Sequence, residues 1–364
     1  MVGEAELKHN LEILAGVQRR TGAKILLAQK AFSMHRVYPL IAEYLSGACA
    51  SGLYEARLAH EAMGGENHVF SPAYTAAEMQ ELVTICDHIV FNSFSQLEQH
   101  RAVCQKSGAS VGIRVNPACS TQDGHAIYDP CAPFSRLGVT RENFHADLLD
   151  GVEGLHFHTL CEQNSDDLVK TFDAFVREFG VFLPQMKWLN LGGGHHITKP
   201  DYDLAALEEL LYYIRAKYDV QVYLEPGEAV ALNAGWLDTT VLDIVHNGMP
   251  ILILDASAAC HMPDVLEMPY RPPLINAGEP NERAVTCRLA ARTCLAGDVI
   301  GDYSFDRMPE VGERLTFGDM AIYSMVKTNT FNGMPLPAIA YQREDGDCEP
   351  VKTFGYEDFK GRLS

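Results

Sequence analysis

Lys30, His158, the run Gly192 to Gly194 and Glu225 each stand at or near the end of an otherwise mostly apolar run. In ILLAQKAF, residues 25–32, the residues around Lys30 suit a short strand that is apolar on both faces. A lysine there has two readings. It ends the strand and carries its ammonium to water, or it is a buried lysine whose amine forms a Schiff base, because burial disfavours the ammonium. Gly192, Gly193 and Gly194, in LNLGGGHH, can bring backbone N–H groups close to a phosphate, or can simply make a turn. Glu225, in VYLEPG, suits either a structural hydrogen bond or the task of holding a ring nitrogen protonated. His158, in LHFHTLCEQ, could stack on a flat ring or be a satisfied core histidine.

The elements that must position these residues decide between the readings. Eight β-type runs begin at Lys24, Gly47, Glu66, His88, Val111, Val152, Met186 and Val220, most of them separated by segments of helical apolar spacing. That count predicts an α/β fold, a (β/α)8 TIM-type barrel over residues 12–230. In such a barrel the catalytic groups gather where the strands end, and phosphate often binds near the seventh and eighth strands. Lys30 follows the first strand, His158 the sixth, the glycines the seventh and Glu225 the eighth, so all four converge on one rim. A Schiff-base lysine, a ring-stacking histidine, a phosphate loop and a carboxylate for a pyridine nitrogen together describe a site for pyridoxal 5'-phosphate. Beyond Ala231 the runs read as strands broken by Gly, Pro and Asp turns, which predicts a mainly β C-terminal domain over 231–364, joined by residues 1–11.

Composition limits the partners. The chain has 364 residues, 47% hydrophobic and 21% charged, an ordinary globular balance. No apolar run is long enough to span a membrane, and no signal pattern precedes the first helix, so no membrane partner is expected. Ten cysteines without CxxC or zinc spacing predict reduced thiols, a cytoplasmic location and no metal. His195 and His196 have no second ligand pair at metal spacing. A net charge of −19 argues against nucleic acid and leans toward cationic ligands.

The chain also resembles the fold-type III pyridoxal-phosphate-dependent decarboxylases, a barrel followed by a β domain, over almost its whole length. Within them it is most similar to the carboxynorspermidine and carboxyspermidine decarboxylase branch, through LLAQKAFSMH, SRLG, LGGGHH, EPGEA, CHMPDVLEMPYRP and TCLAGDVIGDYSF, in that order. The resemblance implies that Lys30 bonds the cofactor, His158 stacks on its ring and Glu225 meets its pyridine nitrogen. It places Gly192, Gly193, Gly194 and Gly227 at the phosphate, with Tyr323 joining the phosphate or substrate site and Arg136 close by. It further implies a homodimer with shared active sites, in which Cys294 and Asp298 reach into the other subunit's site. Cys294 would lie over the cofactor and return a proton, and Asp298 would face the substrate's distal amine.

The implied reaction is loss of CO2 from carboxynorspermidine or carboxyspermidine, giving norspermidine or spermidine. Several relatives carry arginine where Glu228 stands in EPGEA, and an acid so close to a phosphate makes sense beside a cation. Asp264, in CHMPD, adds a second negative charge, and a polyamine-like substrate would suit both carboxylates. The alternatives are a diaminopimelate, ornithine or arginine decarboxylase, an alanine racemase, or a non-catalytic pyridoxal-phosphate-binding protein. Relatives usually open with a strand before the first barrel helix. MVGEAELKHNLEILAG opens in helical periodicity, so either that strand is missing or the start is assigned late.

Overall fold

The computed structural model describes residues 1–122 and 126–364, which fall into two compact units, His9–Val230 and Met1–Lys8 with Ala231–Ser364. The first strand, β1 (Val2–Gly3), belongs to the second of these, and α1 (Glu4–Thr21) follows it.

All eight expected barrel strands form. They are β2 (Lys24–Ala28), β3 (Gly47–Ala50), β4 (Glu66–Phe70), β5 (His88–Phe91), β6 (Ser110–Asn116), β8 (Gly154–His156), β9 (Trp188–Asn190) and β10 (Gln221–Leu224), with a two-residue strand, β7 (Val139–Thr140), appended to β6. Every pairing among them is parallel, in the order β5-β4-β3-β2-β10-β9-β8-β6, and β6 pairs back onto β5 to close the ring. The connecting helices carry their own start signals. Thr75 and Glu78 form a capping box at the head of α4 (Ala76–Ile85), which follows α2 (Tyr38–Ala42) and α3 (Leu53–Ala62). Ser93 caps α5 (Phe94–Ser107), and Gly108 ends it at φ +80°. In α6 (Ser165–Phe179), Leu168, Phe172, Phe175 and Phe179 recur on one face, and all are buried. Asp203 caps α7 (Leu204–Tyr218), and α8 (Glu228–Ala231) is one short turn after β10.

The floor of the barrel is aromatic. Trp188 projects inward and donates from its indole N–H to Ser110 Oγ at 2.8 Å. It occupies space that side chains at Gly112 and Gly154 would need, since a Cβ at either position would overlap its ring. The His68 and His88 rings stack with centroids 3.9 Å apart, and His88 also lies 4.8 Å from the Trp188 ring. Burial, with His68 beside it, lowers the pKa of His88 to about 3. An unfolded chain takes up that proton near the ordinary value of 6.5, whereas the folded barrel resists until about 3. Stability should therefore fall as pH drops from about 6.5 toward 3. His88→Phe should flatten that slope in urea unfolding curves recorded across this window, and an unchanged slope would contradict the assignment.

The second unit holds two sheets. In the larger, the order is β14-β13-β12-β11-β15, built from β11 (Trp236–Asn247), β12 (Met249–Leu254), β13 (Val285–Ala291), β14 (Val299–Phe305) and β15 (Arg314–Gly318). All its pairs are antiparallel except β12 with β13, and Leu252, Leu254, Leu289, Tyr303 and Phe317 fill its core. The smaller sheet joins β1 to β16 (Ile339–Gln342) and β17 (Cys348–Lys352). The reading in which that first strand is missing is thus corrected. Val2 is buried against its partner Tyr341, and the terminal ammonium of Met1 donates to Trp236 O at 2.7 Å. Two residues are too few to show a strand period.

Candidate active site

At the C-terminal ends of the barrel strands, β2 stops at Ala28, two residues before Lys30. The Ala28 N–H is held by Pro226 O at 2.9 Å, and the Gln29 N–H by Cys49 O at 3.2 Å. Lys30 therefore stands on the turn beyond the strand and is exposed, the first of its two readings, in which it ends the strand and carries its ammonium outward. Its ammonium has no hydrogen-bond or ion-pair partner among the described residues. It lines a recess of about 420 Å³ together with Cys49, Phe70, Arg114, His156, His158 and Glu225.

Glu225 follows directly on β10 and forms part of this wall. Asn190 Nδ2 donates to Glu225 Oε1 at 2.7 Å, and His156 Nε2 lies 3.4 Å from Oε2. Burial alone would raise the Glu225 carboxyl; His156 beside it and the Asn190 hydrogen bond outweigh burial and hold it well below the usual carboxylate range. His156 itself is pushed down by burial, with the Glu225 carboxylate working against that shift. His158 is lowered too, first by burial and then by the positive charges of Lys30 and Arg114. Its Nδ1 accepts from the Gly193 N–H at 3.0 Å, which leaves the ring proton on Nε2.

The glycine run needs to be glycine. Gly192 and Gly194 have φ of +71° and +83°, in the region that Cβ atoms disfavour. A Cβ on Gly193 would strike Glu225 O, one on Gly194 would strike Leu160 O, and one on Gly192 would lie 2.6 Å from Phe157 O. The loop is tied on both sides, with Gly192 N–H donating to Asn190 Oδ1 at 2.8 Å and Glu225 N–H donating to Gly192 O at 2.7 Å. Among the described residues, the Gly194 N–H has no partner. Gly227 lets the end of β10 approach β2, where a Cβ would lie 2.7 Å from that of Ala31.

The other predicted residues are placed as follows. Arg136 is exposed and is absent from the recess wall; its carbonyl accepts from Asn92 Nδ2 at 2.8 Å. Glu228 begins α8 and is hydrogen-bonded by His196 Nε2, so an imidazole of the same unit stands beside this acid. Cys294, Asp298, Asp264 and Tyr323 belong to the other unit. Cys294 is exposed on the turn between β13 and β14. Asp298 is 2% exposed and accepts from Ser257 Oγ (2.7 Å), Thr293 Oγ1 (2.5 Å) and the Ala259 N–H (3.1 Å). These bonds fasten the turn carrying Cys294, and Oδ1, with one donor, keeps a lone pair. Asp264 pairs with Lys327 at 2.5 Å, and Tyr323 adopts φ +44°.

Two residues of the recess escape the sequence reading. Arg114 is buried on β6, donates to His158 O at 3.1 Å and lies 4.5 Å from the Phe70 ring centroid; burial pulls its pKa to about 10. It carries the same signal as Lys30, a charge inside the apolar run VGIRVNP. His156 sits two residues before His158. Away from the recess, Glu66, His68 and His88 have ligand-type atoms within 4.8 Å of one another, although Lys24 already pairs with Glu66.

Residues 69–321 match the family model of the pyridoxal-dependent decarboxylases, described by its C-terminal sheet domain. The chain is 40% identical to the carboxynorspermidine/carboxyspermidine decarboxylase of Campylobacter jejuni, over 99% of this chain and 96% of that one. It is equally 40% identical to the carboxyaminopropylagmatine decarboxylase of Synechocystis, over 99% of this chain and 93% of the other. The crystal structure of carboxynorspermidine decarboxylase complexed with norspermidine, from Campylobacter jejuni, superposes with a TM-score of 0.92 at 39% identity, covering 100% of this chain and 98% of that one.

Proposed function

Since the chain belongs to the pyridoxal-dependent decarboxylases, we propose that it removes CO2 from carboxynorspermidine or carboxyspermidine, with pyridoxal 5'-phosphate held in the recess beside Lys30. The observation that carries this reading is one recess lined by Lys30, His158 and Glu225, with the glycine loop hydrogen-bonded to the last two, in a chain 40% identical to an enzyme of that name. The donor set fits the cofactor. Lys30 offers an unpaired amine for its aldehyde, the Gly192–Gly194 loop a cradle that a Cβ would fill, and Glu225 an anion for its ring nitrogen. His156 adds buried ring nitrogens that still need a partner. When bound, the cofactor supplies an electron sink for the pair left behind as CO2 departs.

The protein's own groups do the remaining work. His158, neutral and fixed by Gly193, gives the ring a flat wall. Gly227 is assigned to the cofactor's phosphate, Tyr323 to the phosphate or substrate site and Arg136 to the surroundings of the cofactor. Cys294, contributed across a homodimer interface, returns the proton to the α-carbon, and its exposure leaves the thiol accessible for that task. The substrate's ammonium groups suit a chain of net charge −19, and Glu228 and Asp264 are the carboxylates assigned to them. Among the described residues no helix is long and apolar enough to cross a membrane. The ten cysteines, none of them in a disulfide, support a cytoplasmic location.

A second reading, carboxyaminopropylagmatine, is favoured by the equal 40% identity to the Synechocystis enzyme. It replaces a terminal ammonium with a guanidinium. Competition among carboxynorspermidine, carboxyspermidine, carboxyaminopropylagmatine and meso-diaminopimelate, read as kcat/KM for CO2 release, separates the readings. The two carboxy-triamines should lead. Preference for the guanidino compound would install the second reading, and preference for diaminopimelate would overturn both.

A further inference from the structure

His156 is the last residue of β8, 1% exposed, and lines the recess. Among the described residues neither of its ring nitrogens has a hydrogen-bond partner, an unusual state for a buried side chain and a costly one. Nε2 points at the carboxylate of Glu225 from 3.4 Å, a few tenths of an ångström beyond a full bond. The other oxygen, Oε1, is already held by Asn190. Asn190 in turn has a fixed orientation, because its Oδ1 accepts from the Gly192 N–H, which leaves its Nδ2 for Glu225. The glycine loop, Asn190, Glu225 and His156 thus form one line of contacts in which only the last is loose. Phe70, tilted against the imidazole with centroids 5.5 Å apart, closes the apolar side.

We propose that His156 is a positioning residue that donates from Nε2 to Glu225, so that the carboxylate meets a protonated ring nitrogen as an anion with a fixed orientation. Each carboxylate oxygen then accepts one hydrogen bond from the protein and keeps a lone pair for the ligand. Arg114 and Lys30 also bear charge on this recess, but neither hydrogen-bonds Glu225, so the orientation falls to Asn190 and His156. The inference rests on the reading of Glu225 as the partner of the cofactor's ring nitrogen.

The test is equilibrium binding to the full-length apoprotein, followed by absorbance, of two probes: pyridoxal 5'-phosphate and its deaza analogue with carbon in place of the ring nitrogen. His156→Leu should weaken pyridoxal phosphate about tenfold or more, the scale of a hydrogen bond to a charged group, and leave the analogue nearly unchanged. His156→Gln, which keeps a donor of similar reach, should recover most of the loss. Equal weakening of both probes would make His156 a packing residue and overturn the proposal, as would no effect on either. Glu225→Gln provides the separate check. If that variant discriminates the two probes as the unaltered protein does, the assignment of Glu225 itself fails, whatever His156 does.

Discussion

Lys30→Ala should lower kcat for CO2 release by about a thousandfold or more, the scale of losing a group that both bonds the cofactor and moves protons. Among the described residues, Lys30 is the one amine on the recess wall, and no carboxylate holds it in place. Its loss therefore removes chemistry and breaks no ion pair, so the variant should fold with near-normal stability. Lys30→Arg sharpens the result. A guanidinium keeps the charge but stays protonated and cannot serve as the nucleophilic amine. Both variants should be inactive to the same degree, and borohydride treatment should leave a cofactor-sized mass on the peptide carrying residue 30 only in the unaltered protein. Full turnover by either variant would remove Lys30 from the mechanism.

Gly194→Ala should unfold the apoprotein at markedly lower urea, with a loss of about 3 kcal/mol or more from positive-φ strain added to overpacking. The new Cβ would meet Leu160 O, which is backbone and cannot rotate away. Gly193→Ala carries only the steric part, against Glu225 O, but displaces the residue assigned to the ring nitrogen. It should therefore lose less stability than Gly194→Ala while weakening the binding of pyridoxal phosphate strongly. Gly297→Ala is the control, since nothing lies within 4 Å of a Cβ there and its φ is not positive. If all three variants melt alike, the loop is not the tight cradle described here.

Much of the barrel was legible because parallel strands buried on both faces write continuous apolar runs, and eight of them alternated with helical spacing. The rim was legible for a related reason, since Lys30, His158 and Glu225 interrupt such runs where the strands stop. What stayed hidden was long-range. The end of the first strand was legible only to within a few residues, because β2 ends at Ala28, where Pro226, almost 200 residues on, takes its N–H. The bonds that hold Asp298 were equally hidden, since Ser257, one of its donors, is 41 residues away. Arg114 and His156 broke the apolar pattern as plainly as Lys30 did. Only the closed ring shows that β6 and β8 are neighbours and bring both to Glu225's recess.

The account's central claim is cofactor-dependent loss of CO2 from a carboxy-triamine. The direct measurement is CO2 and triamine formed from carboxynorspermidine by purified apoprotein, with and without added pyridoxal 5'-phosphate. The account predicts the two products in equal amounts, only when the cofactor is present. Cofactor binding with no CO2 from any carboxy-polyamine, or CO2 release that ignores the cofactor, would contradict it.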